Sequence, residues 1–323
     1  MSKKISTKTK VLLIVPSVIV LLIAAVWIIS ISIYNSIFKK RCESYGPQML
    51  RVEDFEGLER TRYHFVSDKG QMLTGYLYSA CEDPDAIIVF AHGYGGGGHN
   101  SYMNCIDFFA QNGFLVFAYD ATGNDESQGQ GAGGVPQGVI DLDHAISFVE
   151  NSGYFPKLPV CLFGHSWGGY SVSAVLTYHP EVKAVIECCG PNSSADLVES
   201  GGLTMVGPAV YVMMPFVRLH EYINYGKYAT NTAMDGFANS DARVMVVHSA
   251  DDNTIRIRYG YDIYYEKYKD DPRFEFIRFE SRGHNSIFLE PDNNYSDEFN
   301  AEYSHRIDEE LFAGFVDFYY ESL

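Results

Sequence analysis

From residue 60 onwards, short apolar runs alternate with segments whose apolar residues recur at helical spacing. Continuous apolar runs are typical of strands buried on both faces of a sheet, and a spacing of three and four residues is typical of helices. Eight segments have strand character: 62–67, 72–79, 86–91, 114–119, 158–163, 182–187, 243–248 and 274–279. Helices are predicted at 106–111, 139–150, 170–178, 255–268 and 307–320. The alternation predicts an α/β fold with a mostly parallel eight-stranded sheet and helices on both faces.

Residues 191–240 interrupt this alternation and are rich in Met, Tyr, Phe and Gly. The segment falls between two core strands, and open α/β sheets bind their ligands at the carboxyl ends of the strands. An insertion at that edge is most simply a helical lid. The alternative is a set of extra core helices that do not contact a substrate.

The start of the chain has a different pattern, because no charged residue occurs from Val11 to Phe38. About 20 apolar residues cross a bilayer, so a transmembrane helix is predicted at about 11–34. A cleaved secretory signal would have a shorter apolar core, and a buried core helix is the other alternative. The sequence therefore divides into an anchor at 1–41, a linker at 42–60 and one large domain at 61–323. Four lysines precede the span and three basic residues follow it, which favours a position of the large domain outside the cytoplasm.

The rest of the chain is strongly acidic, since residues 42–323 contain 17 basic and 41 acidic residues, a net charge of −24. Such a surface argues against nucleic acid or anionic lipid as the main partner. The six cysteines show no spacing typical of a metal site, and a chain of this size does not need a disulfide scaffold. No metal and no cofactor is expected.

The stretch from Gly164 to Gly169 carries the first sign of chemistry. Ser166 follows a predicted strand, precedes a predicted helix, and has glycines two positions before and after it. This is the pattern of a nucleophile elbow, in which a strained turn lifts the serine hydroxyl above the sheet. The N-terminus of the following helix favours negative charge that develops there.

A serine nucleophile needs a base and an orienting carboxylate, which in this arrangement follow in the order acid, then histidine. Asp251 and Asp252 both follow the strand at 243–248, and either could be the acid. His284 follows the next strand in a small polar loop, whereas His305 lies near the start of the last helix. We therefore expect His284 to be the base.

Two backbone N–H groups are expected to stabilise the oxyanion. One belongs to Trp167, the residue after the nucleophile, and the other to the glycine-rich loop after the strand at 86–91. Tyr94 is the preferred second donor and Gly95 the next. The same loop lacks the Lys-Ser/Thr and the helix register of a phosphate-binding motif.

Taken together, these motifs resemble those of the α/β-hydrolase superfamily over about residues 60–320. The similarity is greatest to the branch with monoglyceride-lipase-like enzymes, serine aminopeptidases and related bacterial esterases. It rests on the segments 92–95, 120–129, 164–168, 248–255 and 283–284. The resemblance selects Asp252 over Asp251 and implies that Asp120 shapes the pocket wall. Two departures are Ser249 in place of a glycine and Asn124-Asp125-Glu126 in place of a basic and His-Gly pattern.

The sequence thus predicts a membrane-anchored serine hydrolase that cleaves carboxylic esters through an acyl-enzyme. Its expected partners are a small ester or short peptide substrate and, through the N-terminal helix, the lipid bilayer of the cell membrane. The same triad supports peptidase or aminopeptidase activity, for which Glu199 or Glu221 could hold a substrate ammonium group. A non-catalytic binding protein on a hydrolase fold is the third interpretation.

Overall fold

The computed structural model describes residues 7–44, 50–290 and 306–323. Its centre is one sheet of eight strands in the order β1-β2-β4-β3-β5-β6-β7-β8. β1 and β2, and β2 and β4, pair antiparallel, and every other neighbouring pair is parallel. The strands are β1 (Glu59–Val66), β2 (Met72–Ser79), β3 (Ala86–Ala91), β4 (Phe114–Tyr119), β5 (Val160–His165), β6 (Ala184–Cys188), β7 (Arg243–Ser249) and β8 (Phe274–Phe279). The predicted fold class is confirmed.

Ten α-helices accompany the sheet in the described part of the chain. They are α1 (Thr7–Phe38), α2 (Met103–Gln111), α3 (Gln137–Asn151), α4 (Trp167–Ala174), α5 (Ser194–Val206), α6 (Val210–Tyr225), α7 (Lys227–Thr230), α8 (Ala233–Asn239), α9 (Tyr261–Tyr268) and α10 (Glu309–Tyr320). Helices α5 to α8 form the helical insertion between β6 and β7 that the sequence predicted.

Two apolar cores lie on opposite faces of the sheet, as alternation along β3 illustrates. Ile87 and Val89 belong to one core, while Ile88 and Phe90 belong to the other. All six residues of β3 are buried, because a central strand is covered on both faces. This arrangement explains why the central strands are continuous apolar runs in the sequence.

The segment predicted as one helix at 255–268 is instead a short 3₁₀ turn at 257–259 followed by α9. Gly260 separates the two, and a Cβ built there would lie 2.1 Å from the carbonyl oxygen of Gly190. A close backbone contact with the chain after β6 therefore interrupts the helix. Strand β5 runs two residues further than predicted, because His165 still pairs with Cys188 of β6.

Helix α1 protrudes from the domain at one end and packs on it at the other. The side chains of residues 14–23 are exposed, whereas Ser30, Tyr34 and Phe38 are buried at a spacing of four residues along one helix face. Two described segments are long and apolar enough to cross a membrane, 14–38 with mean hydropathy 2.8 and 194–225 with 1.3. The second consists of α5 and α6, joined by a turn at residues 207–209.

After α1, residues 41–44 (the exit segment) lie against the loop that follows β4. Cys42 donates its N–H to the carbonyl of Gly123 at 3.0 Å, and Asp125 donates its N–H to the carbonyl of Cys42 at 3.0 Å. The Asp125 carboxylate also accepts bonds from the N–H and hydroxyl of Ser44. Residue 125 belongs to the triplet that departs from the superfamily pattern. In this chain Asp125 holds the exit segment.

Candidate active site

Ser166 sits in a strained turn between β5 and α4. Its φ is 58° and its ψ is −115°, outside the regions that most residues adopt. A Cβ at Gly164 would lie 2.3 Å from the carbonyl oxygen of Gly168, and one at Gly168 would lie 2.0 Å from that of Ala91. Only glycine fits at both positions, so the tight strand-to-helix packing accounts for the motif.

The structure brings Ser166, His284 and Asp252 together at the carboxyl ends of the strands. The Oγ of Ser166 lies 2.8 Å from Nε2 of His284, and Nδ1 of His284 lies 2.6 Å from Oδ2 of Asp252. Gly283 has a φ of 61°, which lets the loop after β8 turn back toward the elbow. Three side chains far apart in the sequence thus form one hydrogen-bonded chain. His305, the alternative base, lies outside the described residues.

Asp252 is held in place by bonds to both carboxylate oxygens. Oδ1 accepts the backbone N–H groups of Thr254 at 2.8 Å and Ile255 at 2.9 Å. Oδ2 faces His284 and lies 3.3 Å from Nε2 of His248. Burial by itself would raise the pKa of Asp252, but the hydrogen bonds and charges of His248 and His284 hold that pKa well below its usual range. The carboxylate is therefore ionised and fixed in orientation.

Asp251, the other candidate acid, supports the histidine loop instead. Its Oδ1 accepts the hydroxyl of Ser249 at 2.6 Å and the N–H of Gly283 at 2.8 Å. The hydroxyl oxygen of Ser249 also accepts the N–H of Arg282 at 2.8 Å. The serine that replaces the usual glycine thus links the two loops that carry Asp252 and His284.

Tyr94 and Trp167, the predicted oxyanion donors, lie side by side. Their rings meet edge to face with centroids 5.5 Å apart. Trp167 is the first residue of α4, where backbone N–H groups have no partner within the helix. The indole Nε1 of Trp167 donates to the carbonyl of Val135 at 2.7 Å, and the hydroxyl of Tyr94 donates to the carbonyl of Ile37 at 2.6 Å. The end of α1 therefore contacts the glycine-rich loop that carries Tyr94 directly.

His165 is a site residue that the sequence analysis did not single out. Its Nε2 lies 3.0 Å from the carbonyl of His284, and its Nδ1 lies 2.8 Å from the hydroxyl of Tyr102, which accepts the N–H of Gly93 at 3.1 Å. Burial, together with the charge of His284, lowers the pKa of His165 to about 3, so the ring stays neutral. A neutral ring can donate to one partner and accept from the other, and it links the loop of His284 to the glycine-rich loop. Its position directly before the nucleophile was the available signal.

The remaining predicted carboxylates already have partners. Asp120 is buried and accepts from Nδ1 of His99 at 2.7 Å, in keeping with a wall role. Glu199 accepts the hydroxyl of Tyr259 at 2.7 Å. Glu221 is 1% exposed and accepts hydroxyls from Tyr34 and Ser194.

Three groups in the described part of the chain have His, Cys or acidic ligand atoms close enough to share a metal ion. Two include His284 or Asp252, whose atoms are engaged in the hydrogen-bonded chain above. In the third, His179 bonds Asp143 at 3.0 Å and Glu181 at 2.9 Å. Hydrogen bonds within the protein thus already engage His284, Asp252 and His179.

Comparison with known proteins agrees with this architecture. Residues 82–219 match the family model described as "Serine aminopeptidase, S33". The chain is 27% identical over 138 residues to a monoacylglycerol lipase of Mycolicibacterium smegmatis, covering 42% of this chain and 48% of that protein. It is 31% identical over 109 residues to a monoglyceride lipase of Rattus norvegicus, covering 33% and 35%. The chain thus spans about half or less of the curated relatives it matches.

Solved structures extend the similarity to nearly the whole fold. An esterase of Pyrococcus furiosus superposes with a TM-score of 0.63 at 15% identity, covering 88% of this chain and 98% of that one. An acylaminoacyl peptidase of Pyrococcus horikoshii superposes with a TM-score of 0.59 at 16% identity, covering 84% and 43%. The sheet and these similarities together show an α/β-hydrolase fold, and the sequence matches support a serine hydrolase of that superfamily.

Proposed function

We propose that this protein is a membrane-anchored serine hydrolase that cleaves carboxylic esters. The observation that carries the proposal is the bonded chain Ser166–His284–Asp252 at a strained elbow before a helix. The similarity to the α/β-hydrolase superfamily supports hydrolase chemistry, and the relatives named as lipases, together with the superposed esterase, favour ester substrates.

The proposed reaction begins when Nε2 of His284 takes the proton of Ser166 and the serine oxygen attacks the ester carbonyl. Asp252 stabilises the resulting imidazolium and keeps Nδ1 of His284 protonated. The backbone N–H groups of Tyr94 and Trp167 bind the oxyanion, helped by the N-terminus of α4. His284 then returns the proton to the departing alcohol, which leaves an acyl group on Ser166. Water activated by the same imidazole releases the acid.

We propose α1 as the membrane anchor, because its apolar stretch is long enough to cross the hydrocarbon core. Residues 14–23 are exposed on the structure and apolar apart from Ser17, and a bilayer would cover this surface. The basic residues on either side favour the amino terminus inside and the catalytic domain outside the cytoplasm.

Peptidase activity is the second candidate, favoured by the serine aminopeptidase match and the acylaminoacyl peptidase superposition. An aminopeptidase needs a carboxylate free to hold the substrate ammonium group. Glu199 and Glu221 both bond hydroxyls of the protein, and Glu221 is buried. The ester interpretation is therefore preferred.

The test uses the full-length protein in detergent, a fluorophosphonate probe and a series of p-nitrophenyl esters. Ser166→Ala is expected to lose labelling and ester turnover, whereas Ser173→Ala, which removes a buried hydroxyl within α4, is expected to retain both. Labelling of the Ser166→Ala variant would overturn the nucleophile assignment. Turnover of aminoacyl amides faster than esters would select the peptidase.

A further inference from the structure

Helices α5 to α8, the helical insertion, are called the lid below. Its helix α6 packs along the length of α1. The ring of Trp27 stacks on Phe216 with centroids 6.4 Å apart, and the ring of Tyr34 meets His220 edge-on at 5.6 Å. The hydroxyl of Tyr34 donates to Glu221 at 2.5 Å. Residue numbers rise together along both helices, so the start of α6 points toward the protruding end of α1.

Both helices change from apolar to polar at the same level. The uninterrupted apolar stretch of α1 ends at Ser30, between Trp27 and Tyr34. Residues 201–217 of the lid carry no charge, and the first charged residue, Arg218, lies between Phe216 and His220. Arg218 is exposed. A common boundary on two packed helices is what one membrane–water interface would select, since arginine settles at the headgroup level.

The length of α1 sets the depth of this boundary. Counted from Val11, the first residue after Lys10, about 20 residues at 1.5 Å each are needed to cross a hydrocarbon core of about 30 Å. That count ends at Ser30. The helix is partly covered by protein from Ala24 onwards. About seven residues, or roughly 10 Å of α1, therefore lie both within the hydrocarbon and beside the lid.

A lid that reaches into the hydrocarbon needs an exposed apolar surface, and this lid has one. On the apolar side of Arg218, the exposed large apolar side chains lie near the joint between α5 and α6; they are Met205, Val206, Tyr211 and Val212. Leu219, Tyr222 and Ile223 are also exposed, but they lie beyond Arg218. At the joint, Pro208 has no N–H, and the N–H of Val210 bonds the carbonyl of Gly207. Few unpaired donors would thus enter the apolar phase.

We infer that the lid tip (residues 205–212) is immersed in the same bilayer leaflet from which α1 emerges. The inference rests on the proposed membrane anchor. The catalytic domain then lies directly on the membrane in a fixed orientation. Helices α1 and α6 enter the leaflet as a pair, so the anchor is part of the folded domain and not a free tether.

Tryptophan fluorescence in vesicles tests this placement, because the chain contains only Trp27 and Trp167. The full-length protein is reconstituted in phosphatidylcholine vesicles with or without bromine on the acyl chains, which quenches tryptophan on contact. Trp27→Phe keeps a ring against Phe216 and leaves buried Trp167 as the background. Tyr211→Trp in that variant reports on the lid tip. Tyr154→Trp, a replacement at another exposed tyrosine, before β5, is the matched control.

We expect brominated lipid to reduce the signals of Trp27 and of the Tyr211→Trp variant at least twofold and to leave the signal of the Tyr154→Trp variant unchanged. If Trp27 is quenched but a tryptophan at position 211 is quenched no more than one at position 154, the lid tip is not immersed, although α1 is still a membrane anchor. A lid tip covered by a second copy of the protein would give this result. Absence of quenching at both Trp27 and position 211 would overturn the inference and the anchor together. Fluorophosphonate labelling of Ser166 on the same samples checks the hydrolase site independently and verifies folding.

Discussion

Replacing Asp252 with asparagine exchanges one carboxylate oxygen for an NH₂ group and should reverse the direction of the hydrogen bond to Nδ1 of His284. The backbone N–H groups of Thr254 and Ile255 point at Oδ1, so an asparagine must keep its carbonyl oxygen there. Its NH₂ group then occupies the Oδ2 position, 2.6 Å from Nδ1 of His284. An NH₂ donor facing Nδ1 forces the ring proton onto Nε2. That nitrogen can no longer accept the proton of Ser166.

The expected loss is large because the site geometry stays intact while the reactive tautomer disappears. A wrong tautomer in a serine triad lowers kcat by about 10⁴-fold. At about 1.4 kcal/mol for each factor of ten, this is about 5.5 kcal/mol of transition-state stabilisation. The KM is expected to change little, since Asp252 is 3% exposed and lies behind the histidine.

Asp251→Asn provides the matched control on the adjacent carboxylate. Asp251 uses Oδ1 alone to accept Ser249 and Gly283, and an asparagine oxygen can accept both bonds. Turnover of a p-nitrophenyl ester should fall less than tenfold in this variant, with fluorophosphonate labelling retained. Loss of turnover confined to Asp251→Asn, with Asp252→Asn close to wild type, would refute the assignment of the acid.

Two further changes probe the contact between α1 and the glycine-rich loop, and a buried carboxylate. Phe38→Ala removes a ring whose centroid lies 5.1 Å from that of Tyr94, and it should lower the stability by about 3 kcal/mol and lower kcat more than it changes KM. Ser36→Ala, at an exposed position of the same helix, should alter neither stability nor kinetics. A Phe38→Ala variant with the melting temperature and ester kinetics of wild type would contradict the role of this contact. Burial raises the pKa of Glu187 to about 7 from its ordinary 4.5. Between these pH values the folded protein keeps Glu187 protonated while the unfolded chain does not, so the folded state loses stability as the pH rises from 4.5 to 7. Denaturant unfolding should therefore show that the stability of Glu187→Gln relative to wild type increases by on the order of 3 kcal/mol from pH 4.5 to pH 8. Identical pH dependences of the two stabilities would exclude a titrating Glu187.

Local sequence pattern was sufficient for the strands and the elbow. A strand covered on both faces must be apolar at every position, so β3 and β4 could be located within a residue. A serine turn pressed between strand and helix leaves no room for side chains two positions away, so Gly164 and Gly168 marked it. The strand order and the antiparallel pairing of β2 with β4 could not be predicted, because these depend on contacts between segments distant in sequence.

The sequence alone determined the α/β fold class, the order of the motifs and the existence of a long apolar helix at the front. It left Asp251 and Asp252 equivalent apart from the resemblance, because which carboxylate faces His284 depends on how the loops after β7 and β8 meet. The sequence also did not predict that α1 packs against the lid. A side chain that faces lipid and one that faces a protein core are both apolar, so composition cannot separate them, and only the tertiary structure assigns each face of α1 to its neighbour.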